Sequence, residues 1–456
     1  MKIKILNTYL SPMCFLRSIY NFLFFSGLSF LGCTLYSQEG PYIFLVIGDG
    51  MDDSQIAIAE HYYEELGGLE SFVRMHDRSS AMIEGYDLGD GLRTYVSDSA
   101  NTATTLASGV VTRRRMIGRD ADNQDVESLI AIAKSHQLGT AIITTSSLTD
   151  ATPAAFYAHA YHRDCEGPDY LRYELTETTQ PCLNDAIARG GLGSIAEQAI
   201  LYGPDILLGG GMDFFDQPSE TDPDISLIEL AHQNDIGVIS NLEPPDRNNS
   251  RVLGIFAKEH LPVMMTSSVY PPADYIRREG GLNILPDAYS CMANPQFMET
   301  PRLSEMTQYA LDYLDRSQGF FMMIESASID KQAHDRNACG SIGELGQLDE
   351  TLALILDFAS THEQTYIIVT ADHSHAAQVI PDIDSDAEFI SPGQIARVRL
   401  PNDNLITINY ATSDEPESEE HTGSMVPVFG YQVELPAMMR QSDVFPILKE
   451  IIMRRP

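Results

Sequence analysis

The sequence predicts an α/β protein: a three-layer sandwich with a large, mostly parallel central sheet and helices on both faces. Two observations predict it. Six continuous apolar runs recur from Tyr42 onward, rich in β-branched and aromatic residues, as strands buried on both faces require. Helical patterns fall between them, such as "DVESLIAIAKSHQLG", with acids in the first turn and a glycine stop. Strand and helix alternating in this way build a parallel sheet. A third observation locates function: four of the six runs end in acids, hydroxyls or histidine, and ligands in open α/β sheets bind beyond the carboxyl ends of strands.

Taken in order, the first 32 residues stand apart. They carry Lys2, Lys4 and Arg17, no acid, and the apolar run "FLFFSGLSFLG" before Cys33. A basic start, a short greasy middle and small residues at the end make a secretory signal. The ending "FLGC" is similar to a bacterial lipoprotein cleavage box, which would make Cys33 a lipidated first residue, although Phe30 stands where leucine is usual. Expected localisation is therefore outside the cytosol, in the periplasm or membrane-attached as a lipoprotein.

The remaining chain, 40–456, reads as one catalytic domain. Its strands are expected at "YIFLVIGDG" (42–50), "GTAIITTSS" (139–147), "DILLGGG" (205–211), "RVLGIFA" (251–257), "GFFMMIESA" (319–327) and "TYIIVTADH" (365–373). Residues 376–420 read as an acidic, loop-like insertion. Two glycine-rich stretches, "LLGGGMDFF" and "RGGLGSIAEQ", lack the spacing of phosphate-binding loops and read as turns. The run "TRRRMIGRD" reads as a solvated or acid-paired patch rather than a phosphate contact.

Composition narrows the partners. The 456 residues hold 29 Lys+Arg against 65 Asp+Glu, a net charge of −36, which repels nucleic acid. A saline habitat or affinity for cations gives the same balance. Beyond Cys14 and Cys33 lie four cysteines, Cys165, Cys182, Cys291 and Cys339, with no C-x-x-C pair. An even number suits two disulfides in an oxidising compartment.

The chemistry lies where the runs end. Asp49 follows the first, and Thr149, Asp150 and Thr152 follow the second. In "ESASIDKQAHD", Glu325 closes a strand, while Asp330 and His334 stand four apart and share a helix face. "TADHSHA" adds Asp372, His373 and His375, and "EEHTGS" adds His421. Mixed nitrogen and oxygen donors suit zinc, whereas the carboxylate and hydroxyl set Asp49, Thr152 and Glu325 suits magnesium. The segment "YVSDSANTATTLASG" places Asp98 and Ser99 ahead of small residues. Ser99 is expected at a helix start, where N–H dipoles favour an anion.

Five segments, "VSDSANTATTLASG", "TDATPAAFYAH", "ESASIDKQAH", "VTADHSH" and "EEHTGS", resemble the signature segments of the alkaline phosphatase family, in that family's order. The likeness is to its bacterial branch, since Asp150 and Lys331 stand where other branches often have histidine. It implies hydrolysis of phosphate monoesters through a phosphoserine on Ser99, with Arg163 of "AHAYHRD" forking two phosphate oxygens. It implies one zinc on Asp330, His334 and His421, a second on Asp49, Asp372 and His373, and one magnesium on Asp49, Thr152 and Glu325. Asp98, Asp150, Lys331 and His375 are expected to support these groups without being ligands. Disulfides Cys165–Cys182 and Cys291–Cys339, and a homodimer, are further implications. Two alternatives stay open: a phosphodiesterase or sulfatase of the same superfamily, and an inactive phosphate- or metal-binding protein. The diesterase usually uses threonine, and the sulfatase needs a C-x-P-x-R or S-x-P-x-R segment, where this chain has Ser99-Ala-Asn-Thr.

Overall fold

A computed structural model describes residues 40–454, leaving out 173–179, 245–247, 315–317, 389–390, 414 and 416. The segment 1–32, expected to be a secretory signal, and Cys33 lie outside the described residues. Ten strands form the central sheet: β1 (Tyr42–Gly48), β2 (Asp77–Met82), β3 (Gly139–Ser147), β4 (Ile206–Gly210), β5 (Ile236–Ile239), β6 (Arg251–Ile255), β7 (Phe320–Ser326), β8 (Thr365–Ala371), β9 (Val426–Tyr431) and β10 (Met438–Arg440). Their order is β10-β2-β9-β8-β1-β7-β3-β4-β6-β5. From β8 to β5 every pair is parallel. β9 runs antiparallel to both β8 and β2.

All six expected strands are present and lie side by side. Every residue of β1 and β7 is buried, so helices cover both faces of the sheet. Tyr42, Phe44 and Phe320 are fully buried in this core, the Phe320 ring 5.2 Å from each of the other two. Burying each such side chain contributes roughly 1.5–3 kcal/mol. The burial also fixes register, because a one-residue slip in a strand would reverse its faces.

Register is what builds the site. Gly48 pairs with Ser326 on one side and with Ala371 on the other. The three central strands therefore end level, and the residues that follow them arrive at one place.

The 376–420 stretch is not a plain loop. It supplies strands Gln378–Ile380, Gln394–Arg399 and Leu405–Tyr410 to a second sheet, ordered 378–380, 405–410, 394–399, 289–293 and 265–267. These strands are short and half-exposed, and acid-rich turns interrupt them, which hid their pattern. Both expected disulfides are formed. Cys291–Cys339 ties the second sheet to the long helix Ala338–Thr361, and Cys165–Cys182 closes the loop beside Arg163.

Candidate active site

Short helices, turns and loops beyond the sheet carry most of the candidate residues. Helix α1 (Ser99–Ser108) begins at Ser99 with Asp98 as its N-cap. The Asp98 carboxylate accepts from the Asn101 N–H, and the Asn101 side chain accepts from the Asp98 N–H at 3.0 Å. This reciprocal cap fixes the first turn, and with it the serine. Every residue of α1 is buried and most are small, so the helix start lies close against the strand ends.

Helix α2 (Ala151–Ala154) follows β3 with Asp150 as N-cap, and α3 (Ser328–His334) follows β7. After β1 the chain turns at Gly50, where φ is +70°, and a Cβ would meet Asp330 at 3.0 Å. Only glycine allows that approach without strain. The Gly50 N–H donates to Asp372 at 3.0 Å, tying the β1 and β8 ends together.

These elements bring the predicted residues together. Ser99 Oγ lies 3.1 Å from His373 Nε2. The same nitrogen is 3.3 Å from both Asp49 Oδ1 and Asp372 Oδ2, and 3.9 Å from Asp330 Oδ1. Asp330 Oδ1 is also 3.2 Å from His421 Nε2 and 3.5 Å from His334 Nε2. Thr144 and Ser146 hydroxyls donate to Glu325, which Thr152 also faces. On the open side, Arg163 Nη2 is 2.8 Å from Asp150 and Nη1 is 3.6 Å from Asp98. Lys331 Nζ reaches the other Asp150 oxygen at 2.7 Å.

The charge state of this cluster points to cations. Burial, then Asp372 and Asp330, pushes the Asp49 carboxyl far up. Burial, then Asp330, pushes Asp372 up to about 6. Burial, then Asp150, pushes Glu325 up to about 7. Burial opposes ionisation of Asp330 too, but the imidazoles of His421 and His334 overcome it and hold that group low. Asp150 is likewise held low by Lys331 and Arg163 despite its burial. Crowded buried carboxylates that resist ionisation lack positive charge, which a divalent ion supplies.

The donor atoms fit such ions. Asp49 Oδ1, Asp330 Oδ1, Asp372 Oδ2 and Thr152 Oγ1 are buried without a hydrogen-bond partner of good geometry. Ligand atoms of Asp330, His334, His375 and His421 lie within 4.8 Å of one another, as do those of Asp49, Asp330 and His373. Tautomers separate ligands from supports. His421 Nδ1 is 2.8 Å from the Ser97 carbonyl and His334 Nδ1 faces the Glu419 carbonyl, so both donate there. Their Nε2 lone pairs then face each other across 3.1 Å, an arrangement a shared cation relieves. His375 differs: its Nδ1 accepts from the Ala376 N–H at 2.7 Å, so Nε2 carries the proton, and that nitrogen lies 3.3 Å from Asp330 Oδ1 without a hydrogen bond of good geometry. With that proton in place His375 offers the cluster no Nε2 lone pair, unlike His334 and His421.

Sequence reasoning missed a further layer. Arg336 and Glu419, both buried, pair at 3.0 Å and join the His334 helix to the loop bearing His421. Glu419 also accepts from Thr412 and Ser413 backbone N–H groups. The acids of "SEEH" gave no sign of which one turns inward. Of the run "TRRRMIGRD", Arg119 is acid-paired as expected, with Asp125 at 3.0 Å and Asp185 at 2.8 Å.

An open α/β sheet that gathers buried acids and imidazoles around one serine at a helix start defines a metal-dependent hydrolase. Comparison with known proteins gives the family. The alkaline phosphatase family model matches residues 42–417, ending just short of His421. Alkaline phosphatase H of Pseudomonas aeruginosa is 34% identical over 426 residues, covering 90% of this chain and 85% of that protein. Alkaline phosphatase of Escherichia coli is 34% identical over 431 residues, covering 91% and 87%. In fold, the chain is similar to alkaline phosphatase from the Antarctic bacterium TAB5, with a TM-score of 0.63 at 21% identity over 92% of this chain and all of that one. The chain belongs to the alkaline phosphatase family, and is a hydrolase of phosphate monoesters.

Proposed function

We propose that the reaction passes through a covalent phosphoserine on Ser99, at a site that holds two zinc ions and one magnesium ion. The observation carrying this reading is the 3.1 Å approach of Ser99 Oγ to His373 Nε2, with Asp49 and Asp372 crowding the same nitrogen. Asp330, His334 and His421 take one zinc, Asp49, Asp372 and His373 the second, and Asp49, Thr152 and Glu325 the magnesium. When bound, these ions lower the pKa of a coordinated hydroxyl or water and neutralise phosphate charge.

Ser99 Oγ bonds to phosphorus as the ester bond breaks, and the leaving oxygen takes the electron pair and a proton. A water oxygen then attacks phosphorus, the bond to Ser99 Oγ breaks, and the serine regains a proton as inorganic phosphate departs. Arg163 presents a planar fork that matches two phosphate oxygens. Asp98 and Asp150 aim that fork, and Lys331 neutralises Asp150.

A serine–histidine relay is the competing reading of the 3.1 Å contact. A relay orients the base through its far nitrogen. Here the carboxylates surround the nitrogen that faces Ser99, while Nδ1 lies 3.3 Å from the Ser374 carbonyl. That arrangement supports a donor set rather than a relay.

Ser99→Ala is expected to lower p-nitrophenyl phosphate turnover roughly a thousandfold or more, with zinc and magnesium content unchanged by elemental analysis. Near-normal turnover would end the assignment. The leader-like segment and the two disulfides support export, with Cys33 as a lipid anchor, and family membership supports a homodimer. Globomycin-sensitive processing and sedimentation of the purified chain test these two points.

A further inference from the structure

Four arginines stand in the run 112–120; Arg115 alone of them has a left-handed backbone, and Arg114 has a buried Nε without a hydrogen-bond partner. Arg113 is committed through Nε to the Ala121 carbonyl at 2.7 Å, and Arg119 to two acids. Arg115 is held by its backbone instead. Its N–H donates to both oxygens of Asp98, at 3.0 and 3.2 Å, and its carbonyl accepts from the Arg163 N–H at 2.7 Å. It thus bridges the residue before the nucleophile and the residue that forks phosphate.

It does so at φ +68°, in the left-handed region, where a glycine would sit without strain. The guanidinium is 45% exposed, and its ion pair among the described residues is a loose 3.8 Å approach to Asp164, itself 36% exposed. Nothing in the backbone bonds needs an arginine side chain. A strained backbone carrying a half-exposed, loosely paired side chain marks a candidate functional position. In a chain of net charge −36, a loosely held cation beside the site also changes which ligands approach.

We propose that Arg115 forms an anion subsite next to the phosphate site. It takes phosphate monoesters whose leaving group carries a second anionic group, a carboxylate or another phosphate. The proposal rests on the placement of Ser99 and Arg163 given above. The guanidinium swings from Asp164 to the leaving group, adding a charged contact that esters with uncharged leaving groups lack.

The test uses the full, metal-loaded enzyme and compares 3-phosphoglycerate with p-nitrophenyl phosphate. Arg115→Gly suits the backbone and keeps the N–H that holds Asp98. The ratio of kcat/KM for 3-phosphoglycerate to that for p-nitrophenyl phosphate is expected to fall roughly fivefold to twentyfold, mainly through KM. Arg115→Lys should recover part of it, and added salt should erode the wild-type preference but not the variant's. A ratio unchanged within twofold overturns the subsite. So does an equal loss of kcat on both esters, which would place the effect in Asp98. If the wild type turned over neither ester, or Ser99→Ala kept full activity, the phosphoserine reading would fall, and the subsite with it.

Discussion

At the scale of single residues, Arg163, the proposed phosphate fork, shows how a charge can be aimed before substrate arrives. Two carboxylates hold its guanidinium, at 2.8 and 3.6 Å, and they keep it charged despite its burial. An ammonium in its place keeps the charge and loses the planar fork. Arg163→Lys is therefore expected to raise KM for p-nitrophenyl phosphate roughly tenfold and to weaken inhibition by inorganic phosphate similarly. A change below twofold in both would remove the fork from the reading. Glu344 is a buried acid with a different effect. Burial pushes its carboxyl up to about 7, although the Met264 N–H and Gln347 side chain donate to it. Its folded pKa exceeds its unfolded one, so the stability it contributes is complete below pH ~4 and lost as pH rises through about 7. Glu344→Gln should gain on the wild type across that window by about 3 kcal/mol, then stay level. Urea melts at pH 5, 7 and 9 measure it, and a pH-independent offset would contradict it.

At the scale of elements, the Arg336–Glu419 pair joins two segments that each carry an imidazole. Arg336 Nη2 also donates to the carbonyls of Glu415 at 2.7 Å and Ser418 at 3.0 Å, and the Glu419 N–H donates to the His334 carbonyl at 2.9 Å. The His421 loop is thus docked before any ion binds. Arg336→Ala leaves Glu419 buried and uncompensated, at a cost of about 3–5 kcal/mol. The double variant Arg336→Met, Glu419→Leu should regain most of that stability. Both variants are expected to lose zinc to a chelator roughly tenfold faster or more. Retention at the wild-type rate in both would show that the pair only stabilises the fold.

This pair also marks the limit of what the sequence discloses. β1, β3, β4, β6, β7 and β8 were legible because burial on both faces forces unbroken apolar runs. Asp49, Glu325 and Asp372 were legible because they follow such runs directly. β2, with sequence "DRSSAM", and β10 were not, since near a sheet edge half the side chains face outward and polar residues are tolerated. The Arg336–Glu419 contact and the backbone hold of Arg115 on Asp98 join residues 83 and 17 apart through loops, where no periodicity operates.

At the scale of the whole molecule, ion binding and protonation are linked. The proposed ligands Asp372 and Glu325 hold protons up to about 6 and about 7, and Asp49 is pushed up as well. An ion takes the ionised forms, so its binding must release these protons. Near pH 6 the stripped protein should release about one proton or more as magnesium and zinc are added back, and well above pH 7 almost none from Asp372 and Glu325. Calorimetric titrations in two buffers of different ionisation enthalpy measure that number directly. The same linkage sets stability: ions at a hundred times their Kd add about 2.7 kcal/mol for each independent site. Chelation should therefore lower the midpoint of thermal unfolding more at pH 8 than at pH 5.5, because protons compete with the ions at the lower pH. A chelator effect equal at both pH values would mean that the buried acids are not the ligands. The convergence of β1, β7 and β8 would then need a different explanation.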